Sequence, residues 1–172
     1  MYKMNVLLTG GAGFIGSHIA DSYIDLGHNV IVVDNLSTGK VENINPKAKF
    51  IQLDINSPEI ENVFQSHRID IINHHAAQID VRISVDNPLF DAEVNILGSI
   101  RLYELAKKYH IKKIIFASSG GTVYGEQIYF PADENHPLEP CSPYGISKLT
   151  NEKYLYYYKT VHNIDYVALR YS

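Results

Sequence analysis

Residues 9–16, Thr-Gly-Gly-Ala-Gly-Phe-Ile-Gly, constrain this chain more tightly than any other stretch, because four of the eight are glycine. Glycine inside a regular element costs roughly 0.5–1 kcal/mol relative to alanine. A cluster of them therefore implies a backbone that turns tightly or comes close to something. The flanks say which. Asn5–Leu8 is a short apolar run suited to a buried strand. From Phe14 onward, Ile15, Ile19, Tyr23 and Leu26 recur at the spacing of an amphipathic helix. A glycine turn between strand and helix leaves the first N–H groups and the positive end of the helix open to an anion, with no side chain between.

Strand-like runs and helical stretches alternate along the rest of the chain. The strands are read at Asn5–Leu8, Asn29–Val33, Phe50–Leu53, Asp70–Asn73, Lys113–Ala117 and Tyr166–Leu169. The helices are read at about Phe14–Leu26, Pro58–Ser66, Leu89–Tyr109 and Tyr144–Val161. This alternation predicts an α/β domain with a doubly wound parallel sheet spanning residues 1–172. Gly125–Pro143 holds four prolines and is read as a functional loop rather than a helix. The net charge is −4 and no basic block exceeds a pair such as Lys112–Lys113, which argues against nucleic acid as a main partner. One cysteine, Cys141, rules out an internal disulfide framework and fits a reducing compartment. With no apolar run near the roughly 20 residues that span a bilayer, and no signal-peptide layout at the N-terminus, the expectation is a cytoplasmic protein without a membrane partner.

The glycines fit two registers, Gly11-x-Gly13-x-x-Gly16 and Gly10-x-x-Gly13-x-x-Gly16. Asp34 closes the second strand 18 residues after Gly16, where a carboxylate accepts hydrogen bonds from an adenosine ribose. The same charge repels a 2′-phosphate, so NAD is expected rather than NADP. Asp54 ends the third strand and is either a contact to the adenine edge or an ordinary turn aspartate. In the His-His-Ala-Ala-Gln run at 74–78, Ala76 and Ala77 are small enough for a ligand to lie across the strand end. His74 and His75 point to opposite faces, and no cysteine or acid pattern completes a metal site.

The second informative stretch is Ser142–Lys148, where Tyr144 and Lys148 lie four apart on one helical face. Lowering a tyrosine from near 10 to about 7 takes roughly 4 kcal/mol of differential stabilisation of the phenolate. A neighbouring ammonium supplies some of that and a bound nicotinamide cation supplies more. Such a phenolate can take a proton from a sugar hydroxyl. Ser118 and Ser119 end the fifth strand ahead of Gly120–Gly121. One hydroxyl there could hold the reacting oxygen; alternatively, both serines merely cap a turn.

Five segments, "TGGAGFIGSH", "DNLSTG", "HHAAQIDVRISVDNP", "FASSGGTVYGE" and "SPYGISK", resemble the extended short-chain dehydrogenase/reductases, and within them the UDP-glucose 4-epimerase-like nucleotide-sugar epimerases. They occur in the family's order from Asn5 to the last residue. The resemblance implies a Rossmann fold, an NAD that stays bound, and a UDP-sugar whose C4 is oxidised and then re-reduced on the other face. It implies Tyr144 as base, Lys148 as its partner and Ser119 as the hydroxyl polarising C4–O. Gly10, Gly13, Phe14, Ile15 and Gly16 would line the pyrophosphate. Asn35, Ser37, Thr38 and Gly39 would join Asp34 at the ribose, with Asp54 and Ile55 at the adenine. Ala76, Ala77, Gln78 and Asn95 would flank the nicotinamide side.

Many members carry the catalytic hydroxyl where this chain has Gly120, so the Ser-Ser-Gly-Gly run selects Ser119, with Thr122 as the fallback. Gly121 and Thr122 stand where the 4,6-dehydratases of the superfamily carry an Asp-Glu pair, which places dehydratase behind epimerase. A non-catalytic NAD-binding module is the other alternative, and it has no need of the Ser119–Tyr144–Lys148 set. Relatives of this kind continue well past the position of Ser172 with a region that grips the nucleotide-sugar, so little activity is expected of this length alone. The helices Leu89–Tyr109 and Tyr144–Val161, the latter with Tyr154, Leu155, Tyr156, Tyr157 and Tyr158, would form a four-helix homodimer interface.

Overall fold

A computed structural model describes residues 3–172. Six strands, β1 (Asn5–Thr9), β2 (Asn29–Asp34), β3 (Lys49–Gln52), β4 (Ile71–His74), β5 (Lys113–Ser119) and β6 (Asp165–Tyr171), form one sheet in the order β3-β2-β1-β4-β5-β6. Every pairing is parallel. Thr9 pairs with Val33 on one side and with His74 on the other, and Ser119 pairs with Tyr171. The carboxyl ends of the strands thus form one edge, and the strand order reverses between β1 and β4. Ligands of open α/β sheets bind in the crevice at such a reversal.

The main core lies on the face covered by α2 (Ile60–Ser66), α5 (Gly98–Lys108) and α7 (Pro143–His162), where Leu7, Ile72, Ile114 and Phe116 meet Val63, Leu102 and Leu155. A smaller cluster of Leu8, Val30 and Val32 sits under Ala20 of α1 (Phe14–Asp25). The stripe read from sequence on α1 holds in its middle, where Ile19 and Tyr23 pack against this cluster, and is corrected at its ends. Ile15 and Leu26 are 45% and 57% exposed, and the buried positions are Gly16, Ser17 and Ala20. The helix starts tight against the glycine turn, so small residues face the sheet and Ile15 projects beyond its edge.

Element limits also shift, for local reasons. Asp70 caps rather than joins β4, its carboxylate accepting the Asn5 N–H at 2.8 Å. The β5–β6 ladder continues past the apolar run to Ser119, because backbone pairing does not require an apolar side chain. The stretch expected as one helix from Leu89 is α4 (Pro88–Ala92), a π-helical turn (Glu93–Leu97) and then α5. Before it stands α3 (Val81–Asp86), too short for periodicity to show, with the Asp80 side chain accepting the Arg82 N–H. Ser142 caps α7 by accepting the Gly145 N–H at 3.1 Å, and left-handed Asn163 ends it. The segment from Gly125 to α7 contains no regular strand or helix. Among the described residues no helix is long and apolar enough to cross a membrane.

Candidate active site

The turn after β1 is shaped by side chains that are not there. Gly10 has φ +73°, and a Cβ on it would lie 2.6 Å from the Ala76 nitrogen. A Cβ on Gly16 would lie 2.2 Å from the Gly10 carbonyl oxygen. The Ser17 N–H donates to the Gly13 carbonyl, and no side chain caps α1. The amides of Phe14, Ile15 and Gly16 therefore precede the first intrahelical bond. The Phe14 side chain is 78% exposed, so only its backbone belongs to the cradle.

Asp34 ties this turn to the next. Its carboxylate accepts the Ala12 N–H at 2.9 Å and the Leu36 N–H at 2.8 Å, two of the roughly four acceptor positions a carboxylate offers. Asn35, Ser37 and Thr38 stand beside it, and Gly39 is pressed against Ala12. Asp54 accepts the Asn35 side-chain amide and the Asn56 N–H, both at 2.7 Å. Ile55 is 5% exposed and belongs to the core, leaving only its backbone for a ligand. An open-amide helix start beside a glycine cradle, flanked by a carboxylate with acceptor capacity remaining, fits the pyrophosphate and ribose of a dinucleotide.

Beyond β4, the Ala76 N–H donates to Thr9 Oγ1 at 3.3 Å. His74 lies buried between Thr9 Oγ1 at 2.7 Å and Ser99 Oγ at 2.9 Å, and burial first, then the Lys148 charge, lowers it to about 3. His75 reaches the Tyr171 hydroxyl at 3.1 Å and is lowered to about 4 for the same reasons. The two rings hold different partners. Gln78 and Asn95 are turned toward one another: the Gln78 N–H donates to Asn95 Oδ1, and Asn95 Nδ2 donates to the Gln78 carbonyl, both at 2.9 Å. Both amide groups complete their donor capacity on Asp91 and Asp80, so these two residues shape the wall rather than offer N–H groups to a ligand.

Tyr144 stands on the first turn of α7, its N–H donating to buried Ser84 Oγ at 3.2 Å. Lys148, one turn on and 4% exposed, donates to the Ala117 carbonyl at 2.8 Å, with Nζ 5.5 Å from the Tyr144 ring centre and 4.9 Å from that of Phe116. Burial lowers the lysine to about 8. The tyrosine does not have the lowered value that a base at neutral pH requires: burial, and then the Asp91 carboxylate, raise it above 10. The serines separate clearly. Ser118 Oγ donates to Glu152 at 2.5 Å, whereas Ser119 at the carboxyl end of β5 does not cap α6 (Gly120–Val123). Thr122 Oγ1 is buried without a partner.

Sequence reasoning misses Asp91, which accepts from Ser147, Asn95 and Gln78. It also misses the Glu152–Arg170 ion pair at 2.7 Å, whose arginine further donates to the Tyr124 hydroxyl at 3.0 Å. Asp91 and Asn95 are spaced four apart, and that pairing is the available signal.

The chain matches the sequence profile described as the NAD dependent epimerase/dehydratase family over residues 6–172. It is 40% identical to the UDP-glucose 4-epimerase of Mycolicibacterium smegmatis, over 94% of this chain and 53% of that protein. The crystal structure of UDP-glucose 4-epimerase with UDP-glucose from Thermotoga maritima superposes with a TM-score of 0.95 at 49% identity, over 98% of this chain and 55% of that one. The Thermus thermophilus UDP-glucose 4-epimerase complex with NAD gives 0.92 at 42% identity, with the same two shares covered. The chain thus spans about half the length of the relatives it matches. A sheet with its order reversed between β1 and β4, a glycine cradle at that edge and a family match over nearly the whole length agree: this chain belongs to the NAD dependent epimerase/dehydratase family.

Proposed function

We propose that residues 1–172 form the NAD-binding Rossmann domain of a UDP-glucose 4-epimerase-like enzyme, carrying its proton-transfer group. The observation that carries the reading is the meeting of the glycine cradle, Ser119, Tyr144 and Lys148 at one sheet edge. Gly10, Gly13 and Gly16, with the amides of Phe14 and Ile15, would hold the pyrophosphate, and Asp34 with Asn35, Ser37, Thr38 and Gly39 the adenosine ribose. Asp54 and the Ile55 backbone would border the adenine, and Ala76, Ala77, Gln78 and Asn95 the nicotinamide side. When bound, NAD would supply a cationic ring able to take the C4 hydrogen of a sugar as hydride, with its bonding electron pair, and to give it back.

Tyr144 Oη takes and returns the proton of the C4 hydroxyl. Lys148 favours the phenolate through its charge, acting against the burial that raises Tyr144. Ser119 donates a hydrogen bond to the same oxygen. The substrate class, a UDP-sugar, follows the relatives named above. Exposed Leu89, Leu97, Tyr154 and Tyr156 support a homodimer through the Leu89–Tyr109 stretch and α7, although Leu155 and Tyr158 are buried in the core and are unavailable to it.

The test has two readouts. NAD released by heat denaturation, or bound on addition, is expected at one per chain. Tyr144→Phe is expected to keep that affinity and, in a version as long as the relatives, to lower C4 epimerisation of UDP-glucose by at least about 100-fold. Failure to bind NAD overturns the domain assignment, and epimerisation that survives Tyr144→Phe overturns the mechanism.

A further inference from the structure

The buried carboxylate of Asp91 stands out from the other acids around the site. It is fully buried, yet none of its hydrogen-bond partners is a cation: Ser147 Oγ donates at 2.5 Å, Asn95 Nδ2 at 2.9 Å and Gln78 Nε2 at 3.2 Å. A buried charge without a paired cation is costly unless it is fully hydrogen-bonded and serves a nearby opposite charge. Lys148 is in the matching position. It is buried, its hydrogen bond goes to a neutral carbonyl, and its Nζ lies among aromatic rings. Ser147 is its neighbour in sequence, so the Ser147–Asp91 bond joins α4 to the turn of α7 that bears both Tyr144 and Lys148.

We propose that Asp91 is a positioning residue for the proton-transfer pair: anchored by Gln78, Asn95 and Ser147, its carboxylate fixes the start of α7 and keeps the Lys148 ammonium charged beside Tyr144. The proposal rests on the reading of those two residues given above. The Asp91 charge bears on both of them, raising Tyr144 alongside burial and Lys148 against it. The other charged groups packed around the pair are already balanced or remote. Glu152 of α7 is paired with Arg170 of β6, and Asp80 with Arg82 of α3. His74 and His75 of β4 and its exit are held neutral by burial. Asp86 of α3 and Glu93 of the π-helical turn do not share the buried setting of Asp91. Asp91 is therefore the source of negative charge that the buried lysine meets. It is fully buried and its donors are the side chains of Ser147, Asn95 and Gln78, so it acts through placement and charge.

The experiment is a proton titration of Lys148 in the whole chain by NMR of 13C-labelled lysine, its signal assigned by loss in Lys148→Met. Asp91→Asn keeps the shape and removes the charge. The Lys148 midpoint, about 8 in the parent chain, is expected to fall by at least about half a unit, a threefold change in the ionisation constant. A folded Asp91→Asn chain with an unmoved midpoint overturns the proposal, since a purely structural carboxylate lowers stability without moving the lysine. Where Asp91→Asn does not fold, Ser147→Ala takes its place: the carboxylate is then unlinked from α7, and a smaller fall supports the proposal while no change overturns it. Turnover does not enter this readout, so failure of the Tyr144 mechanism and failure of the Asp91 role are seen separately.

Discussion

The glycine turn and the Tyr144–Lys148 group stand on one edge of one sheet and are made of opposite materials. The turn is backbone throughout: its specificity is the absence of side chains at Gly10, Gly13 and Gly16, and its ligand groups are amides at a helix start. The other group is made of side chains held in unfavourable surroundings, a lysine lowered to about 8 and a tyrosine raised by burial. A backbone cradle is complete as soon as the strand–turn–helix unit folds. A buried charge group depends on what lies behind it, here Asp91, Ser84 and the Ala117 carbonyl.

The sharpest way to separate the two is to add one methyl to the turn. In Gly16→Ala the new Cβ would lie 2.2 Å from the Gly10 carbonyl oxygen, a backbone atom that cannot rotate away. Overpacking costs about 1–3 kcal/mol and more where the obstacle is rigid. A Tm fall of roughly 2–12 °C, at about 2–4 °C per kcal/mol for a chain of this size, is expected together with loss of NAD binding below detection. Calorimetry and a nucleotide titration check both. Normal NAD affinity in Gly16→Ala would remove the basis for calling the turn a close-approach site.

Acid tests the contrast at the junction of the two halves. His74 bridges Thr9 of β1 to Ser99 of α5, and His75 lies beside it. Both fall below the ordinary 6.5, to about 3 and about 4, through burial first and the Lys148 charge second. Between those values and 6.5 the unfolded chain binds more protons than the folded one. Stability is therefore complete above pH 6.5 and is lost as pH falls toward 4 and 3. At 1.36 kcal/mol per unit for each group, the loss between pH 7 and pH 5 is about 4 kcal/mol. Urea unfolding at the two pH values measures it, and His74→Gln should remove about half. Equal stability at pH 5 and pH 7 would mean that neither ring is buried neutral.

The same contrast explains what can be read from the chain. The parallel sheet, the glycine turn and Asp34 are legible because short apolar runs, glycine spacing and an acid at a strand end are local features of sequence. The α1 stripe is right at Ile19 and Tyr23 and misleads at Ile15 and Leu26, because the buried positions are the small Gly16, Ser17 and Ala20, which periodicity of large apolar residues cannot display. The break in the helix from Leu89 is invisible because nothing in Glu93–Leu97 forbids an ordinary α-helix. The π-helical turn comes with tertiary bonds: the Asn95 carbonyl accepts Ser99 Oγ and Asn151 Nδ2, each at 2.7 Å. Tyr144 and Lys148 are legible as a pair by their spacing. The direction of the tyrosine's shift is not, because it depends on a burial and an Asp91 charge contributed from 53 residues upstream.

The smallest expected effect concerns the hydroxyl beside them. Thr122 Oγ1 is buried without a hydrogen-bond partner, whereas Ser118 is engaged by Glu152 and Ser119 lies at the strand end without capping the next helix. Leaving a buried hydroxyl unsatisfied costs about 1–3 kcal/mol, and Thr122→Val removes the hydroxyl while keeping the branched shape. Stability is expected to rise by about 1 kcal/mol, a Tm gain of roughly 2–4 °C, with epimerisation, read in a version as long as the relatives, unchanged. Ser119→Ala is expected to do the reverse, leaving Tm in place and lowering epimerisation by about 100-fold, the size of effect seen when one donor to a reacting oxygen is removed. If Thr122→Val loses activity and Ser119→Ala keeps it, the hydroxyl belongs to Thr122. Its missing partner would then be the substrate oxygen itself, and this edge of the site would follow the same rule as the glycine turn, with a group left open for what binds.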